Sequence, residues 1–578
     1  MKNTVRQIVQ LTKDPVASIK KVSKPLRLVW KKELQLAQGF TPFVTNLARP
    51  ADPTPRSKWY SSHSPEQLTT QVRSMLDSLK QRGGIYSVIA EDDLRAESKV
   101  GPQGGHPAIS SLYPKILEYF GVYGEQDGKD RHPDLDIQNM TFSSAEWADA
   151  KKKAITMLHF SRRLRPMSHR RVVDLLKNDQ KLISNCGFLP GVSFRRRNNP
   201  EVIDACLQHQ SGELWKQPAI LGERSTRGKT RLIFMTSFAT NVHGAAYSMV
   251  VQDAIRKLNL PAFSAWEGNE HVRHAMTAML IGNKGVDSRE KLDQGGATIL
   301  SSDFTGMDQR FNKKCMLETY DVLKYAFQEQ YWKELREIIE YIADTPIIFP
   351  LEDGSLREST AEHSLISGSE WTNLLETVFA FIMWIYAKAT NCLVQGDDGC
   401  VIVPWNKDEC ANVFSDLCFK VGMTGNAQKQ LVSDTKAHYL QRYYYKQYQV
   451  RASDGTMELG GVYPVMLAFN SLLFPERYHD PRKWSKEMLT IRNLMITENT
   501  CDHPLFGEFA EFVGKGDKYL KDFLQLSRKR LEAYENIARS IPGFVPLTSR
   551  VESWTSGRSP CYQLTISENF RVLRRVWG

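Results

Sequence analysis

Two adjacent carboxylates, Asp397 and Asp398, stand inside Cys392 to Pro404, CLVQGDDGCVIVP. Apolar residues lead in (Cys392, Leu393, Val394) and lead out (Cys400, Val401, Ile402, Val403). Two β-type runs joined by Gly396-Asp397-Asp398-Gly399 predict a hairpin, because short turns ending in Asp-Gly use positive φ. Carboxylates held together at the tip of a buried hairpin repel each other and are costly to desolvate. A divalent cation relieves both costs, and hard oxygen ligands suit Mg2+ or Mn2+. The same four residues, taken alone, also fit a solvated hairpin turn.

Other candidates lie upstream and downstream. Asp303 ends a strand-like run, Ala297 to Phe304 (ATILSSDF), and Asp308 follows after a Thr-Gly-Met turn. Ser367-Gly368-Ser369-Glu370-Trp371-Thr372 reads as a loop opening a helix that runs to about Lys388. Ser369 can cap that helix, and Trp371, Leu375, Val378 and Ile382 predict one apolar face. Gly228-Lys229-Thr230-Arg231-Leu232-Ile233 reads as a cationic strand. It fails the phosphate-loop pattern, since Glu223 stands where the first glycine is required. Lys429 lies in Gly425-Asn426-Ala427-Gln428-Lys429, after the hairpin and its following helix.

A nucleotidyl transfer would use all of these. A 3′-hydroxyl must be deprotonated and attack an α-phosphorus in line while pyrophosphate leaves. Two metals can activate the nucleophile and neutralise the leaving group, which demands carboxylates on neighbouring strands. Asp303 and Asp397 fit, with Asp398 as auxiliary. Lys229 and Arg231 could hold a triphosphate. Lys429 could protonate the leaving pyrophosphate. Ser367-Gly368 could hold template and nucleotide.

The elements around these residues come from a chain of 578 residues with a formal net charge of +11. That length suggests two to four lobes, and 41% hydrophobic residues can fill their cores, which excludes a disordered chain. The positive balance suggests a polyanionic partner, nucleic acid first. Nine scattered cysteines without a Cys-x-x-Cys pair exclude a disulfide framework or zinc knuckle and imply a reducing compartment. Cys392, Cys400, Cys410 and Cys418 read as core. No secretory signal is visible at the start, and Val378 to Ala387 is too short to span a bilayer. Residues 1 to about 55 form a basic, Pro-ending arm. Glu66 to Arg82 predicts an amphipathic helix stopped by Gly83-Gly84, and Val100 to Pro107 a loop. Arginines cluster at 162–171 and 195–197, and lysines and arginines at 515–530, either as solvated faces or as RNA contacts. Strands and helices alternate without a βα period, so the fold class is α+β.

The order of these motifs resembles the viral RNA-dependent RNA polymerases of the right-hand fold. GKTRLI resembles their motif F, DFTGMD motif A, SGSEWT motif B, QGDD motif C, GMTGNAQKQ motif D and HYLQR (His438 to Arg442) motif E. Together they cover roughly Glu223 to Arg442, and the flanks carry no motif that can be placed. The pattern is most similar to picobirnaviruses, with partitiviruses second. The resemblance implies fingers, palm and thumb, an antiparallel palm sheet and closed fingertips. It suggests an N-terminal basic arm over 1–60, fingers over 61–235, palm with interleaved fingers over 236–450, and thumb with tail over 451–578.

It further implies that Asp303, Asp397 and Asp398 bind the metals, Mg2+ or Mn2+, and that Asp308 faces the ribose 2′-hydroxyl. Lys229 and Arg231 would line the nucleotide channel, Ser367, Gly368 and Thr372 would hold substrate, and Lys429 would be the general acid. The partners implied are RNA template and product, ribonucleoside triphosphates and, further out, viral capsid protein, with no membrane span. The place implied is the host cytoplasm, inside the virion or a replication particle. One position departs from the pattern. An asparagine one helical turn after the motif B threonine is common in positive-strand relatives, whereas this chain has Glu376, and Asn373 lies about 100° around from Thr372. Glu376 has three options, to be protonated, to pair with a cation such as Lys229 or Arg231, or to face away from the site; the last two together are expected, since protonation at neutral pH needs deep burial.

Two rivals remain open. A reverse transcriptase shares the carboxylates, but its family places an aromatic gate where this chain has Asp308. An RNA-binding capsid or nucleoprotein would not need acids in order on strands. For Tyr439, Tyr443, Tyr444, Tyr445 and Tyr448, core packing and contact with the primer strand are both open. His363 and His438 read as packed or exposed rather than as ligands.

Overall fold

The structure, a computed structural model, describes residues 62–101, 135–178, 182, 184–226, 229–282, 298–350, 356–359, 363–452, 455–475, 485–517 and 519–540. The expected basic arm over 1–60, most of the 100–107 loop and the tail beyond 540 lie outside the described residues.

The first described helix, α1 (Pro65–Gln81), starts where the sequence dictates. Ser64 Oγ accepts from the Gln67 N–H at 3.2 Å, Gln67 Oε1 accepts from the Ser64 N–H at 2.8 Å, and Pro65 takes the first helical position. Leu68, Val72, Leu76 and Leu79 recur on one face and are fully buried. Gly83 and Gly84, at φ of +72° and +56°, turn the chain into α2 (Ile85–Leu94). This pair shares its core with the helices Val465–Leu473 and Phe506–Gly516 near the far end of the chain. Buried acids fix the contact. Asp92 accepts from Lys436 Nζ at 2.7 Å and from the Tyr445 hydroxyl at 2.9 Å. Asp93 accepts from the N–H groups of Val465 and Met466 at 2.7 and 3.0 Å, capping the helix that begins there. The apolar face of α1 is covered both by α2, which follows it, and by the C-terminal helices.

In chain order the strands used below are β1 (Ala219–Thr226), β2 (Lys229–Met235), β3 (Thr298–Asp303), β4 (Ile347–Pro350), β5 (Leu356–Ser359), β6 (Asn391–Gln395), β7 (Asp398–Val403), β8 (Leu431–Ser433), β9 (Lys436–Tyr439) and β10 (Arg442–Tyr445). One sheet runs β2-β1-β4-β5, and its β1–β2 ladder is antiparallel. A second runs β6-β7-β3-β8, antiparallel throughout. β9 and β10 form a hairpin whose turn puts Leu440 and Gln441 at φ of +51° and +64°, and the Ser301 hydroxyl of β3 accepts from the His438 N–H at 2.7 Å. Tyr439, Tyr444 and Tyr445 pack in the core, while Tyr443 and Tyr448 are half-buried. Helices together with one mixed sheet, in which β1 and β4 pair in parallel, and one antiparallel sheet match the α+β expectation.

Behind the second sheet lies α3 (Thr372–Tyr386). One apolar face was expected of it, but residues 374–384 are buried on every side. Phe379 meets Phe311 and Trp147 with ring centres 5.0 and 5.8 Å apart, Phe381 meets Phe263 at 5.1 Å, and Trp384 stacks on Phe414 at 5.7 Å. Burying each such ring contributes about 1.5–3 kcal/mol. The helix is thus a rigid central post for whatever its polar side chains touch. Among the described residues no helix is long and apolar enough to cross a membrane. Cys400, Cys410 and Cys418 are buried, Cys392 is partly buried, and all four thiols are free.

Candidate active site

The β3–β7 ladder sets Asp303 directly opposite Asp398, and the β6–β7 ladder sets Gln395 opposite Asp398. The turn is therefore Gly396-Asp397, with Asp398 already in the strand. Only the first of these residues has positive φ, at +60° for Gly396, so that glycine makes the turn rather than Gly399. Gly399 serves a different need, because a Cβ there would overlap the Ser302 hydroxyl of β3. Opposed side chains on paired strands lie roughly 4.5–5.5 Å apart at Cβ, and like charges in that position repel.

The turn rests on α3. The Gly396 N–H donates to Thr377 Oγ1 at 2.9 Å. A Cβ on Gly396 would come within 3.3 Å of Glu376 Oε2 and 3.6 Å of Asn373 Nδ2. Asn373 is itself held by the indole N–H of Trp266, which donates to its Oδ1 at 3.0 Å.

Glu376 corrects the expectation made for it. The residue is only 7% exposed, its Oε1 has no hydrogen-bond partner among the described residues, and it points toward the acids rather than away. Burial first, then Asp308 and Asp397, push its carboxyl well above the usual carboxylate range. No pairing with Arg231 forms. A central helix that is buried all round leaves its polar side chain only the site to face.

The neighbouring acids behave alike. Asp397 is accessible at the hairpin tip, yet protein crowds it on most sides. Desolvation, then Asp308 and Asp303, raise its pKa, and the Arg231 guanidinium offsets them only in part. Asp398 is pushed up to about 7 by desolvation, then by Asp397 and Asp303. Such crowding of acids stores unfavourable charge that a cation would relieve. Among the described residues no group of three or more His, Cys, Asp or Glu side chains forms a ready-made metal cage. Mg2+ does not need one, since it keeps several waters and binds through one or two carboxylates plus substrate phosphates. The donor set of Asp303, Asp397 and Asp398 fits an ion of that kind.

Asp308 sits half-buried in the one-turn helix Met307–Arg310, entered through Gly306 at φ +59°. Thr372 and Ser367 were expected to hold substrate alongside it. Ser367 is half-buried. The Thr372 hydroxyl donates to the Ile366 carbonyl at 2.7 Å, so its proton closes the 366–372 loop. The Ser369 hydroxyl accepts from the Trp371 N–H at 3.2 Å at the helix start. A Cβ on Gly368 would overlap the Phe234 carbonyl oxygen, and Asn241 Nδ2 donates to the Gly368 carbonyl at 3.3 Å. Only glycine lets this loop lie against β2, the strand that carries Arg231. Arg231 is exposed and paired in register with Arg224. Lys229 pairs with Thr226 along the backbone, and its side chain lies outside the described residues, as does Gly228.

Lys429 is exposed in the short helical turn Ala427–Lys429. The next residue, Gln430, escaped the sequence reading. Its Oε1 accepts from the Asp303 N–H at 2.9 Å, and its Nε2 donates to the Asp303 carbonyl at 3.0 Å and to the Asn426 carbonyl at 2.9 Å. Nothing in the sequence marks that contact. Thr377 could have been found as a lone hydroxyl in an apolar helix, where a buried polar group requires a partner.

Three comparisons bear on this arrangement. No family model matches the chain. A protein described as a potential RNA-dependent RNA polymerase, from a human picobirnavirus (strain Human/Thailand/Hy005102/-), is 27% identical over 516 residues, which is 85% of this chain and 87% of that relative. The crystal structure of the RNA-dependent RNA polymerase of a human picobirnavirus superposes with a TM-score of 0.70 at 22% identity, covering 93% of this chain and 96% of that one. Its insertion-loop deletion mutant superposes with a TM-score of 0.69 at 22% identity. The likeness shows a right-hand polymerase fold.

Proposed function

We infer that this chain, similar over most of its length to a picobirnavirus polymerase, is itself a viral RNA-dependent RNA polymerase: a nucleotidyltransferase that copies an RNA template from ribonucleoside triphosphates and so replicates and transcribes a viral, double-stranded RNA genome. The observation that carries the reading is the juxtaposition of Asp303 and Asp398 across β3–β7 with Asp397 in the adjoining turn. The order of the six motifs along the chain supports it.

On this reading Asp303, Asp397 and Asp398 hold Mg2+ or Mn2+. The bound ions would supply Lewis acidity at the 3′-hydroxyl and charge neutralisation at the leaving pyrophosphate. Asp308 accepts a hydrogen bond from the ribose 2′-hydroxyl, as a carboxylate can and an aromatic gate cannot. Arg231 and Lys229 hold the triphosphate. The Ser367-Gly368 loop, closed by Thr372, seats template base and nucleotide. Lys429 gives the pyrophosphate its proton. The net charge of +11 favours RNA bound chiefly through phosphates. The core shared by α1, α2 and the C-terminal helices supports a ring closed by fingertips. We place fingers in 61–235, palm with interleaved fingers segments in 236–450, and thumb with tail from 451 on. Virion or replication particle in the host cytoplasm is the proposed place, with capsid protein as a partner there.

The test is incorporation of labelled ribonucleotide on an RNA template by wild type and Asp397→Asn. The variant should fold and bind RNA normally yet lose nearly all synthesis, since a lost metal ligand costs several kcal/mol of transition-state stabilisation. Synthesis within a few-fold of wild type would remove Asp397 from the chemistry. Preference for deoxyribonucleotides would point to a reverse transcriptase, and RNA binding without any synthesis to a capsid-type protein.

A further inference from the structure

We propose that Gln430 is a positioning residue: its side-chain amide replaces a missing rung of the β3–β8 ladder, fixes the peptide of Asp303, and ties it to the turn that carries Lys429. The proposal rests on the reading above for the role of Asp303.

The geometry is specific. β8 pairs with β3 through Ile299↔Ser433, Leu300↔Val432 and Ser301↔Leu431, and there the ladder stops. Pairing on the same edge of β3 resumes with the Phe304↔Gly425 bridge and with the Thr305 N–H donating to the Thr424 carbonyl at 2.8 Å. Residues 426–429 leave the ladder as a turn. Asp303 falls in the gap, and the Gln430 side chain fills it by accepting from the Asp303 N–H and donating to the Asp303 carbonyl. The second Nε2 proton goes to the Asn426 carbonyl at the base of the turn.

The amide orientation is forced, because an N–H can meet only an acceptor and a carbonyl only a donor. A glutamate could not donate to either carbonyl, an asparagine is one methylene shorter, and an aliphatic side chain offers nothing. Asp303 has particular need of such a clamp. It is the exposed last residue of its strand and faces Asp398 across the ladder. Repulsion between those carboxylates would swing an unanchored Asp303 outward. The same amide sets the distance from Asp303 to the Lys429 turn, so the proposed metal ligand and proton donor share one fixed frame. Such outer partners of a metal ligand, when removed, reduce metal affinity or activity by about 10–100-fold.

The experiment compares wild type, Gln430→Ala and Gln430→Leu. Mn2+ binding is read by electron paramagnetic resonance without RNA, followed by the Mg2+ dependence of single-turnover incorporation, the nucleotide KM and the melting temperature. The expected result is Mn2+ affinity weaker by about 10–100-fold in both variants, a matching rise in the Mg2+ requirement, partial rescue by high Mg2+, and nucleotide KM little changed. A purely structural staple would lower the melting temperature and leave Mn2+ affinity and Mg2+ requirement at wild-type values, and that outcome overturns the proposal. Wild type that binds Mn2+ but incorporates no ribonucleotide refutes the proposed function, while the Mn2+ comparison still decides on Gln430. Wild type that binds no Mn2+ overturns both. Should the variants fail to fold, hydrogen exchange in wild type reads the clamp directly. Slow exchange of the Asp303 N–H supports it, and exchange at the rate of an unstructured amide refutes it.

Discussion

Thr377 accepts a hydrogen bond from the N–H of Gly396 at 2.9 Å, so the turn presenting Asp397 hangs from the middle of a fully packed helix. Thr377→Val keeps nearly the same shape and strands that N–H. Leaving a buried donor unsatisfied costs about 1–3 kcal/mol. The denaturation midpoint should drop accordingly, and single-turnover incorporation should slow as Asp397 loses its anchor. Thr377→Ser keeps the acceptor and should keep most of both. Equal stability of Thr377→Val and wild type would mean that the turn is held by something else.

Without divalent ions the acids of the site should contribute progressively less stability as pH rises toward and past neutrality. Asp398 has a folded pKa of about 7, above its ordinary carboxylate value. A raised carboxyl binds more protons in the folded state than in the unfolded one, so its contribution is full below the unfolded value and is lost as pH rises through the folded value. Glu376, raised by burial, Asp308 and Asp397, acts in the same sense. The buried histidines His169 and His438, held at about 4 by burial, act in the opposite sense between about pH 4 and pH 6.5, so the acids are read as a difference between variants. Without metal, Asp398→Asn should gain melting temperature relative to wild type as pH rises from about 4 to 8, and Mg2+ should narrow that gap at the alkaline end. A wild-type-minus-variant difference independent of pH over this range would contradict the crowding of acids.

Glu376 in its neutral form is a hydrogen-bond donor, as the amide of an asparagine or glutamine is. Glu376→Gln keeps both the shape and the donor, so it should retain the preference for ribonucleotides. Asp308→Ala should reduce that preference by about 1–3 kcal/mol, the scale of one unsatisfied polar contact. The measurement is the ratio of kcat/KM for ribonucleotide and deoxyribonucleotide in each variant. Equal loss of discrimination in the two would make the Glu376 carboxylate itself the sugar reader.

What could be read in the sequence was local. The hairpin around Asp397 announces itself because apolar runs flank a glycine-marked turn, and Asp303 because a strand pattern ends on it. The α1 helix follows from its amphipathic pattern, and its stop from Gly83-Gly84. Orientation within a helix that is buried all round could not be read, because a polar residue such as Glu376 then has no polar face to indicate its direction. Gln430 was illegible for another reason. Its side chain imitates a backbone rung, and register gaps leave no mark in residue type. The packing of α1 and α2 on the C-terminal helices was hidden because those partners lie hundreds of residues away.

That last contact also sets a clock. Asp92 is separated from its partner Lys436 by 344 positions, and Asp93 from the N–H of Met466 by 373. During synthesis on the ribosome, at about 5–20 residues per second, tens of seconds pass between the emergence of these aspartates and that of their partners. Throughout that interval Leu68, Val72, Leu76 and Leu79 have α2 beside them but lack the surface that the C-terminal helices supply. The nascent chain carries a partly open apolar face on α1 until the C-terminal helices arrive. That core therefore closes only when translation is nearly done, so truncated chains should be prone to aggregate.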